Sequence, residues 1–176
     1  MEIYEPSDDS YFFAGFLKNY IKRNKPSTFL DMGCGSGILA RTVFKFFKKE
    51  DILCADINPS AVSATRLLGF KAIKSNLFSK IPKKKKFDLI TFNAPYLPEE
   101  EGEPDSSKLI TTGGKEGDEI SLKFLKQAQE HLTDRGKILL LISSLTPLEK
   151  INKFHPKTLA RKKLFFERLL ILEFRK

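Results

Sequence analysis

The chain has 176 residues, 41% of them hydrophobic and 30% charged, and its formal net charge is +9. This composition is typical of a globular protein and excludes a disordered or collagen-like chain, and the length is sufficient for a domain with a substantial core. The longest apolar run, over residues 138–142, is too short to cross a bilayer, and the acidic stretch MEIYEPSDDS does not have the pattern of a secretory signal. We therefore expect one cytoplasmic domain over residues 1–176.

Residues suited to metal binding are few. Cys34 and Cys54 are not spaced as zinc ligands, and His131 and His155 have no clustered cysteine or acidic residue at ligand spacing. We therefore expect no metal site. The positive net charge favours an anionic partner such as RNA, DNA or a protein that works with nucleic acid. The lysine run at residues 83–86 is more typical of a solvated turn than of a binding site.

Helical and strand-like patterns alternate through the first half of the chain. Apolar residues at helical spacing follow Ser7, which is suited to capping the first helix. The predicted elements are, in order, a helix over residues 8–23, the strand TFLDM, a helix over residues 38–47, the strand DILCAD, a helix from Pro59 to Leu68 and the strand FKAIKS. Strands that alternate with helices at this spacing predict a parallel sheet in an α/β fold.

The second half begins with a predicted strand over residues 87–92 and a long loop over residues 98–117. A loop of that length in a compact domain is usually functional or mobile. The elements predicted after it are a helix that Asp118 caps, the strand KILLLIS introduced by Gly136, a short helix within residues 147–154 and two final strands with a hairpin turn near residues 166–168.

Polar and glycine residues follow the first two predicted strands directly. The segment DMGCGSG contains Asp31, Gly33, Gly35 and Gly37, and the second strand ends at Asp56. Ligands of open α/β sheets bind at the carboxyl ends of the strands, where glycines allow a tight turn and close approach to the backbone. An acidic residue about twenty positions after the glycine segment is typical of a carboxylate that binds a ribose. This pattern predicts a nucleoside-binding site.

A nicotinamide dinucleotide site is an alternative, because GSGILA also fits the pattern Gly-x-Gly-x-x-Ala. In that register the loop begins two residues late, and no downstream residue is an obvious acid for hydride transfer. The nicotinamide site is therefore the less favoured alternative.

The segment FDLITFNAPYLPEE begins as a buried strand and continues with residues that packing alone does not explain. After the apolar residues 87–92 come Asn93, Ala94, Pro95 and Tyr96. A tight exit from the strand would account for the proline, but not for a carboxamide and an aromatic ring beside it.

These segments together resemble a known family. FLDMGCGSG resembles the first motif of the class I S-adenosylmethionine methyltransferases, ADINP resembles their second motif, and FNAPY resembles their amino-methylating Asn-Pro-Pro-Tyr motif, with Ala94 in place of the first proline. YEPSDDSYFFA and TTGGKEGDEISLKFL are similar to segments of the HemK/PrmC glutamine-N5 methyltransferases, especially the short archaeal and eukaryotic release-factor branch. The resemblance implies a Rossmann-like fold with a mostly parallel seven-stranded sheet, helices on both faces and a C-terminal antiparallel hairpin.

The resemblance also implies S-adenosylmethionine as the cofactor. Ser10 would lie beside it, Asp31 and Gly33 would hold its methionine end, and Asp56 would hold its ribose. Asn76 stands where the family usually has an aspartate beside the adenine, so it can accept a hydrogen bond but carries no charge. The cofactor-binding residues predicted in this way are Ser10, Asp31, Gly33, Gly35, Asp56, Asn76, Leu77 and Asn93.

The catalytic residues implied by the resemblance are Asn93, Ala94, Pro95 and Tyr96. The Asn93 side-chain oxygen and the Ala94 carbonyl would accept hydrogen bonds from a planar NH2 group and orient its lone pair toward the methyl donor. Tyr96 would offer a flat face to that group, and Pro95 would fix the turn.

The likeness to the release-factor branch implies that the acceptor is the glutamine of a Gly-Gly-Gln loop in a peptide chain release factor. It also implies a small zinc-binding activator subunit that covers an apolar sheet edge. Two other functions fit the motifs and the charge: an adenine-N6 methyltransferase acting on RNA or DNA, and a basic nucleic-acid-binding domain without catalytic activity.

Overall fold

The computed structural model describes residues 3–100, 102, 104, 108 and 110–176. Its helices within these residues are α1 (Asp8–Asn24), α2 (Ile38–Val43), α3 (Pro59–Leu67), α4 (Glu119–Ala128) and α5 (Leu148–Asn152). Its strands are β1 (Phe29–Met32), β2 (Ile52–Asp56), β3 (Lys71–Lys74), β4 (Phe87–Asn93), β5 (Leu97–Pro98), β6 (Thr112–Gly114), β7 (Leu132–Ser143), β8 (Lys157–Lys163) and β9 (Arg168–Arg175). None of the helices in the described residues is long and apolar enough to span a bilayer.

Seven strands form the central sheet, in the order β3-β2-β1-β4-β7-β9-β8. The strands β1, β2, β3, β4 and β7 pair in parallel, whereas β9 is antiparallel to both β7 and β8. The predicted α/β fold with a mostly parallel seven-stranded sheet and a C-terminal antiparallel hairpin is therefore confirmed.

The core lies on both faces of this sheet, which explains the continuous apolar run at residues 138–142 of β7. Ile138, Leu140 and Ile142 belong to the cluster that contains the apolar side chains of α4, whereas Leu139 and Leu141 belong to the cluster that contains those of α1 and α2. Successive side chains of a strand point to opposite faces, so a strand covered on both faces has no polar alternation.

The predicted long loop contains structure of its own. Leu97 pairs in parallel with Thr112, and Pro98 with Gly114, so β5 and β6 form a small second sheet. The prediction of one continuous loop over residues 98–117 was therefore wrong for the described part of this segment. Residues 101, 103, 105–107 and 109 lie outside the described residues.

Several predicted boundaries also differ from the structure. The helix α2 ends at Val43 and continues as a short 3-10 turn over residues 44–46, so it does not reach residue 47. Gly136 lies inside β7 because the strand continues through a register shift against β4. The hairpin turn spans residues 164–167, where the Leu164 N–H donates to the Glu167 carbonyl at 2.8 Å, about two residues earlier than predicted.

The two predicted helix caps occupy their positions without making the expected bond. Ser7 and Asp118 directly precede α1 and α4, but neither side chain accepts a hydrogen bond from its helix. Tyr11 N–H donates instead to the Ser7 carbonyl at 3.0 Å. The buried Asp118 carboxylate faces the Lys150 ammonium at 3.4 Å.

A buried polar cluster joins the C-terminal hairpin to the first helix. Glu173 in β9 is 4% exposed and accepts a hydrogen bond from the Tyr20 hydroxyl of α1. Its carboxylate also lies 2.9 Å from the Arg175 guanidinium and 3.8 Å from the Lys137 ammonium. Glu173 and Tyr20 are the buried members of this cluster, so loss of the carboxylate would leave the Tyr20 hydroxyl buried without a partner.

Replacing Glu173 by Ala is expected to lower the free energy of unfolding by about 1–3 kcal/mol, since it leaves the buried Tyr20 hydroxyl without its hydrogen-bond acceptor. Tyr20→Phe should cost only about 1 kcal/mol. Urea denaturation followed by circular dichroism measures both values. The exposed Glu149→Ala is the control and should stay within about 0.5 kcal/mol of the parent. An equally small loss for Glu173→Ala would show that the cluster does not stabilise the fold.

Candidate active site

The carboxyl ends of β1, β2 and β4 border a cavity of about 580 Å³. A cavity of this size can hold a nucleoside-sized ligand. Residues from five separate segments of the chain meet there. The predicted site residues that line it are Ser10, Asp31, Gly33, Gly35, Asp56, Asn76, Leu77, Asn93, Ala94, Pro95 and Tyr96.

The order of the strands explains why these segments meet. The strand β1 lies between β2 and β4 and is parallel to both, so the three strands end at the same edge of the sheet. Asp31 stands opposite Cys54 of β2 and Thr91 of β4 in the register. The chain changes direction across the sheet at this point, which is where open α/β sheets bind ligands.

The glycine segment after β1 is held against the end of β2. The Gly33 N–H donates to the Ala55 carbonyl at 2.8 Å. Gly33 and Gly35 both have left-handed backbone angles, with φ of +63° and +49°. A Cβ atom at Gly33 would lie 2.7 Å from the Phe92 ring, whereas a Cβ atom at Gly35 would have nothing within 4 Å. Packing therefore requires glycine at the first position, and the second leaves the backbone open to a ligand.

Asp56 connects β2 to the glycine segment. One carboxylate oxygen accepts a hydrogen bond from the Gly35 N–H at 2.9 Å, and the other accepts from the Asn58 N–H at 2.8 Å. Burial raises the pKa of the Asp56 carboxyl, and the backbone hydrogen bonds oppose that rise. Each oxygen has a second lone pair, so Asp56 can still accept hydrogen bonds from a ligand's hydroxyl groups.

Asp31 is buried more completely and is less well satisfied. It is 1% exposed, and its Oδ1 atom accepts a hydrogen bond from the Thr91 hydroxyl at 3.3 Å. Its buried Oδ2 atom has no hydrogen-bond partner among the described residues. Burial raises the pKa of the Asp31 carboxyl to about 7. An unpaired carboxylate oxygen is costly to bury, and a cationic ligand group in the cavity would offset that cost.

The carboxamide of Asn93 is held at one end only. Its Nδ2 atom donates a hydrogen bond to the Asp9 carboxylate at 2.9 Å. Its Oδ1 atom is buried and has no partner in the described part of the chain. The Oδ1 atom is therefore an acceptor that a ligand N–H group could satisfy.

Asp9 was not among the predicted site residues. It lies in the first turn of α1, where acidic side chains are usually explained by the helix dipole, and its partner Asn93 is 84 positions away. Tyr4 also borders the cavity, and its hydroxyl donates to Asp9 Oδ1 at 3.0 Å. The only sequence signal for Asp9 was its place in the pair of Asp8 and Asp9, directly before the predicted site residue Ser10.

The turn that carries Pro95 and Tyr96 is fixed by neighbouring elements. The Thr146 hydroxyl donates to the Tyr96 carbonyl at 3.1 Å. A Cβ atom at Gly113 would lie 2.7 Å from the Pro95 carbonyl oxygen, so β6 approaches this turn closely. Burial raises the pKa of the Tyr96 hydroxyl, and the nearby carboxylates of Asp9 and Glu167 raise it further. Tyr96 is therefore neutral over the physiological pH range.

Asn76 and Leu77 border the cavity from the turn after β3. Leu77 has a φ of +48°, a left-handed conformation that is uncommon for a branched side chain. The Ser75 hydroxyl donates to the Leu77 carbonyl at 2.6 Å and holds the turn in place. Within the described residues, no group of three or more histidine, cysteine, aspartate and glutamate side chains is arranged to hold a metal ion.

Known proteins similar to this chain agree with the geometry of the site. Residues 13–165 match the family model of the methyltransferase small domain. The chain belongs to this methyltransferase family. It is 36% identical to the putative protein N5-glutamine methyltransferase of Methanocaldococcus jannaschii, over 97% of this chain and 90% of that protein. The predicted membership of the glutamine-N5 methyltransferases is thereby confirmed, and the nicotinamide alternative is not supported.

Two further comparisons define how far this similarity extends. This methyltransferase is 34% identical to the release factor glutamine methyltransferase of Borreliella burgdorferi, over 68% of its own length and 46% of that relative. Its fold matches the crystal structure of a ribosomal protein L11 methylase from Lactobacillus delbrueckii subsp. bulgaricus, with a TM-score of 0.68 and 22% identity over 98% of this chain and 81% of that one. The structural match supports the fold alone.

Gly33→Ala is expected to lower the free energy of unfolding of this methyltransferase by about 2–4 kcal/mol, since the left-handed backbone and the clash with buried Phe92 both destabilise the variant. Gly35→Ala is the matched control. It has the same backbone penalty without the clash, so it should lose only about 1 kcal/mol. Urea denaturation distinguishes the two. Equal losses would mean that contact with Phe92 is not what requires glycine at position 33.

Proposed function

We propose that this methyltransferase transfers the methyl group of S-adenosylmethionine to the side-chain amide nitrogen of the glutamine in the Gly-Gly-Gln loop of a peptide chain release factor. The observation that carries the proposal is the buried Asn93 Oδ1 atom, which has no partner among the residues that the structure describes and lies beside a cavity of nucleoside size. The relatives named as protein N5-glutamine and release factor glutamine methyltransferases support the same acceptor.

The residues around the cavity fit the proposed cofactor. The unpaired Asp31 Oδ2 atom would hold the ammonium group of its methionine end, and Asp56 would accept hydrogen bonds from the ribose hydroxyls. Gly35 would allow it to approach the backbone and Gly33 would border its methionine end. Ser10 would lie beside it, and the turn of Asn76 and Leu77 would contact the adenine. When bound, S-adenosylmethionine supplies an electrophilic methyl group on a sulfonium sulfur.

The chemistry asked of the protein is to orient and activate a weak nucleophile. The lone pair of an amide nitrogen is delocalised into its carbonyl group, so the nitrogen attacks poorly. If the Asn93 Oδ1 atom and the Ala94 carbonyl each accept one N–H of the substrate amide, the nitrogen is held in one orientation. The same oxygens stabilise the positive charge that grows on nitrogen, by about 3 kcal/mol for each group.

Tyr96 and Pro95 complete the proposed acceptor site. The partly buried Tyr96 ring offers a flat surface for the planar amide, and Pro95 restricts the backbone that aims the Ala94 carbonyl. The nitrogen loses its proton to solvent after methyl transfer, so no strong general base is required.

A small zinc-binding activator subunit is a further part of the proposal. The strand β3 is at one edge of the sheet, and Leu67 at the end of the preceding helix α3 is 89% exposed. Leu68 beside it is also exposed. Apolar side chains next to an open sheet edge favour a protein partner at that edge. A cytoplasmic location and one methyltransferase domain over residues 1–176 belong to the same proposal.

A methyl-transfer assay with labelled S-adenosylmethionine tests the acceptor. We expect label in a release factor containing the Gly-Gly-Gln loop, more label when a small zinc-binding subunit is added, and none when that glutamine is replaced by alanine. RNA and DNA are tested in parallel because the net charge of +9 also suits an adenine-N6 methyltransferase. Label in nucleic acid alone would overturn the proposed substrate.

Asn93→Ala should lower kcat at least about 100-fold, because it removes one of the two oxygens that orient the amide and stabilise its charge. Its dissociation constant for S-adenosylmethionine, measured by calorimetry, should stay within about threefold of the parent, since Asp31 and Asp56 are unchanged. A variant with the parent's kcat would refute the role of Asn93.

The affinity for S-adenosylmethionine should depend on pH through Asp31. Its pKa near 7 means that the carboxyl is neutral in acid, and only its ionised form attracts an ammonium group. Binding should therefore tighten roughly tenfold as the pH rises from about 5.5 to 7, as calorimetry can measure. Asp31→Asn should bind more weakly and lose this dependence. Parallel curves for parent and variant would contradict the assignment.

A further inference from the structure

We propose that Asp9 is a positioning residue that sets which end of the Asn93 carboxamide faces the substrate. The inference deepens the proposed function and rests on it. The oxygen and the NH2 group of a carboxamide have almost the same shape, so a half-turn of the Asn93 side chain exchanges them. Only the oxygen can accept a hydrogen bond from the substrate amide. Catalysis therefore needs a contact that distinguishes the two ends.

The contact between Asp9 and Asn93 distinguishes them. Asp9 Oδ2 lies 2.9 Å from Asn93 Nδ2, and Asp9 is 5% exposed. An ionised carboxylate can accept hydrogen bonds but cannot donate one. If the Asn93 side chain turned over, its oxygen would face the Asp9 oxygen, and neither atom would have a proton to share. The arrangement that leaves Asn93 Oδ1 available to the substrate is therefore favoured.

Asp9 itself is fixed by three donors on its other oxygen. Asp9 Oδ1 accepts from the Ser10 N–H at 2.6 Å, the Tyr4 hydroxyl at 3.0 Å and the Ser10 hydroxyl at 3.2 Å. The Ser10 N–H belongs to the backbone of α1 and can only donate, so an oxygen must stay on this side of the Asp9 side chain. The second oxygen is then directed to Asn93. The Ser10 N–H thus fixes the orientation of the Asp9 carboxylate, and Asp9 fixes the orientation of the Asn93 carboxamide.

The isosteric substitution Asp9→Asn tests this order. The new side chain must keep its oxygen toward the Ser10 N–H, so its NH2 group faces Asn93. The Asn93 carboxamide is then expected to turn over and present its own NH2 group to the substrate. We expect kcat on the release factor to fall at least about 100-fold, as for loss of a directed hydrogen bond in the transition state. The dissociation constant for S-adenosylmethionine should stay within about threefold of the parent.

The double variant Asp9→Asn with Asn93→Asp supplies the rescue. The carboxylate now at position 93 accepts from the NH2 group at position 9 and keeps its second oxygen for the substrate. We expect it to recover at least about tenfold in kcat over Asp9→Asn alone, a gain that a purely structural role for Asp9 does not explain. The control Asp8→Asn removes the same charge one position earlier, on a side chain that is 66% exposed, and should leave kcat unchanged.

Neutron diffraction of crystals exchanged into D2O distinguishes a carboxamide oxygen from its ND2 group without any acceptor protein. We expect the Asn93 ND2 group toward Asp9 in the parent and away from position 9 in Asp9→Asn. The opposite orientation in the parent, or an Asp9→Asn variant with kcat within threefold of the parent, would overturn the inference. Inactivity of the parent on the release factor would count against the proposed function only, because neutron diffraction determines the orientation of the Asn93 carboxamide without any activity measurement.

Discussion

The parallel alignment of β1 between β2 and β4 is the constraint on which the site depends. Parallel strands end at the same edge, so whatever follows each of them is brought to one place. Here those residues are a glycine segment, the carboxylate of Asp56 and the carboxamide of Asn93. Hydrogen bonds from Gly35 to Asp56 and from Asn93 to Asp9 then join the strand ends to one another and to α1. The sheet positions the groups, and these bonds orient them.

Three carboxylates are buried at this edge, and their burial is costly to the fold. Asp9, Asp31 and Asp56 would each be better solvated in the unfolded chain, and an apolar edge would be more stable. The cost is least compensated at Asp31, whose raised pKa reflects an environment that disfavours its charge. A ligand that supplies a cation and hydroxyl groups offsets these costs, so binding it also stabilises the folded chain. Buried carboxylates that lower the stability of the fold are thus placed where a ligand can bind.

The parts of the fold that were predictable from the sequence depend on local patterns. The apolar run of β7 and the glycines after β1 identify a two-sided parallel sheet, and the polar strand ends at Asp31, Asp56 and Asn93 identify the edge that borders the cavity. What was missed depends on contacts between distant segments. In the sequence, Asp9 is indistinguishable from an ordinary acidic residue in the first turn of a helix. Only the folded structure shows its contact with Asn93. The pairing of β5 with β6 likewise has no periodic signal, because each strand is only two or three residues long.

The departure of Ala94 from the family motif shows how the fold can replace a covalent restraint. A proline at this position would restrict φ of the residue whose carbonyl is the proposed acceptor of the substrate N–H. Ala94 lacks that restraint, but its side chain is buried in the core cluster that also contains Phe92 and Phe124. Thr146 holds the Tyr96 carbonyl beyond it. The backbone around Ala94 is therefore restrained by packing on one side of the turn and by a hydrogen bond on the other, without the ring of a proline.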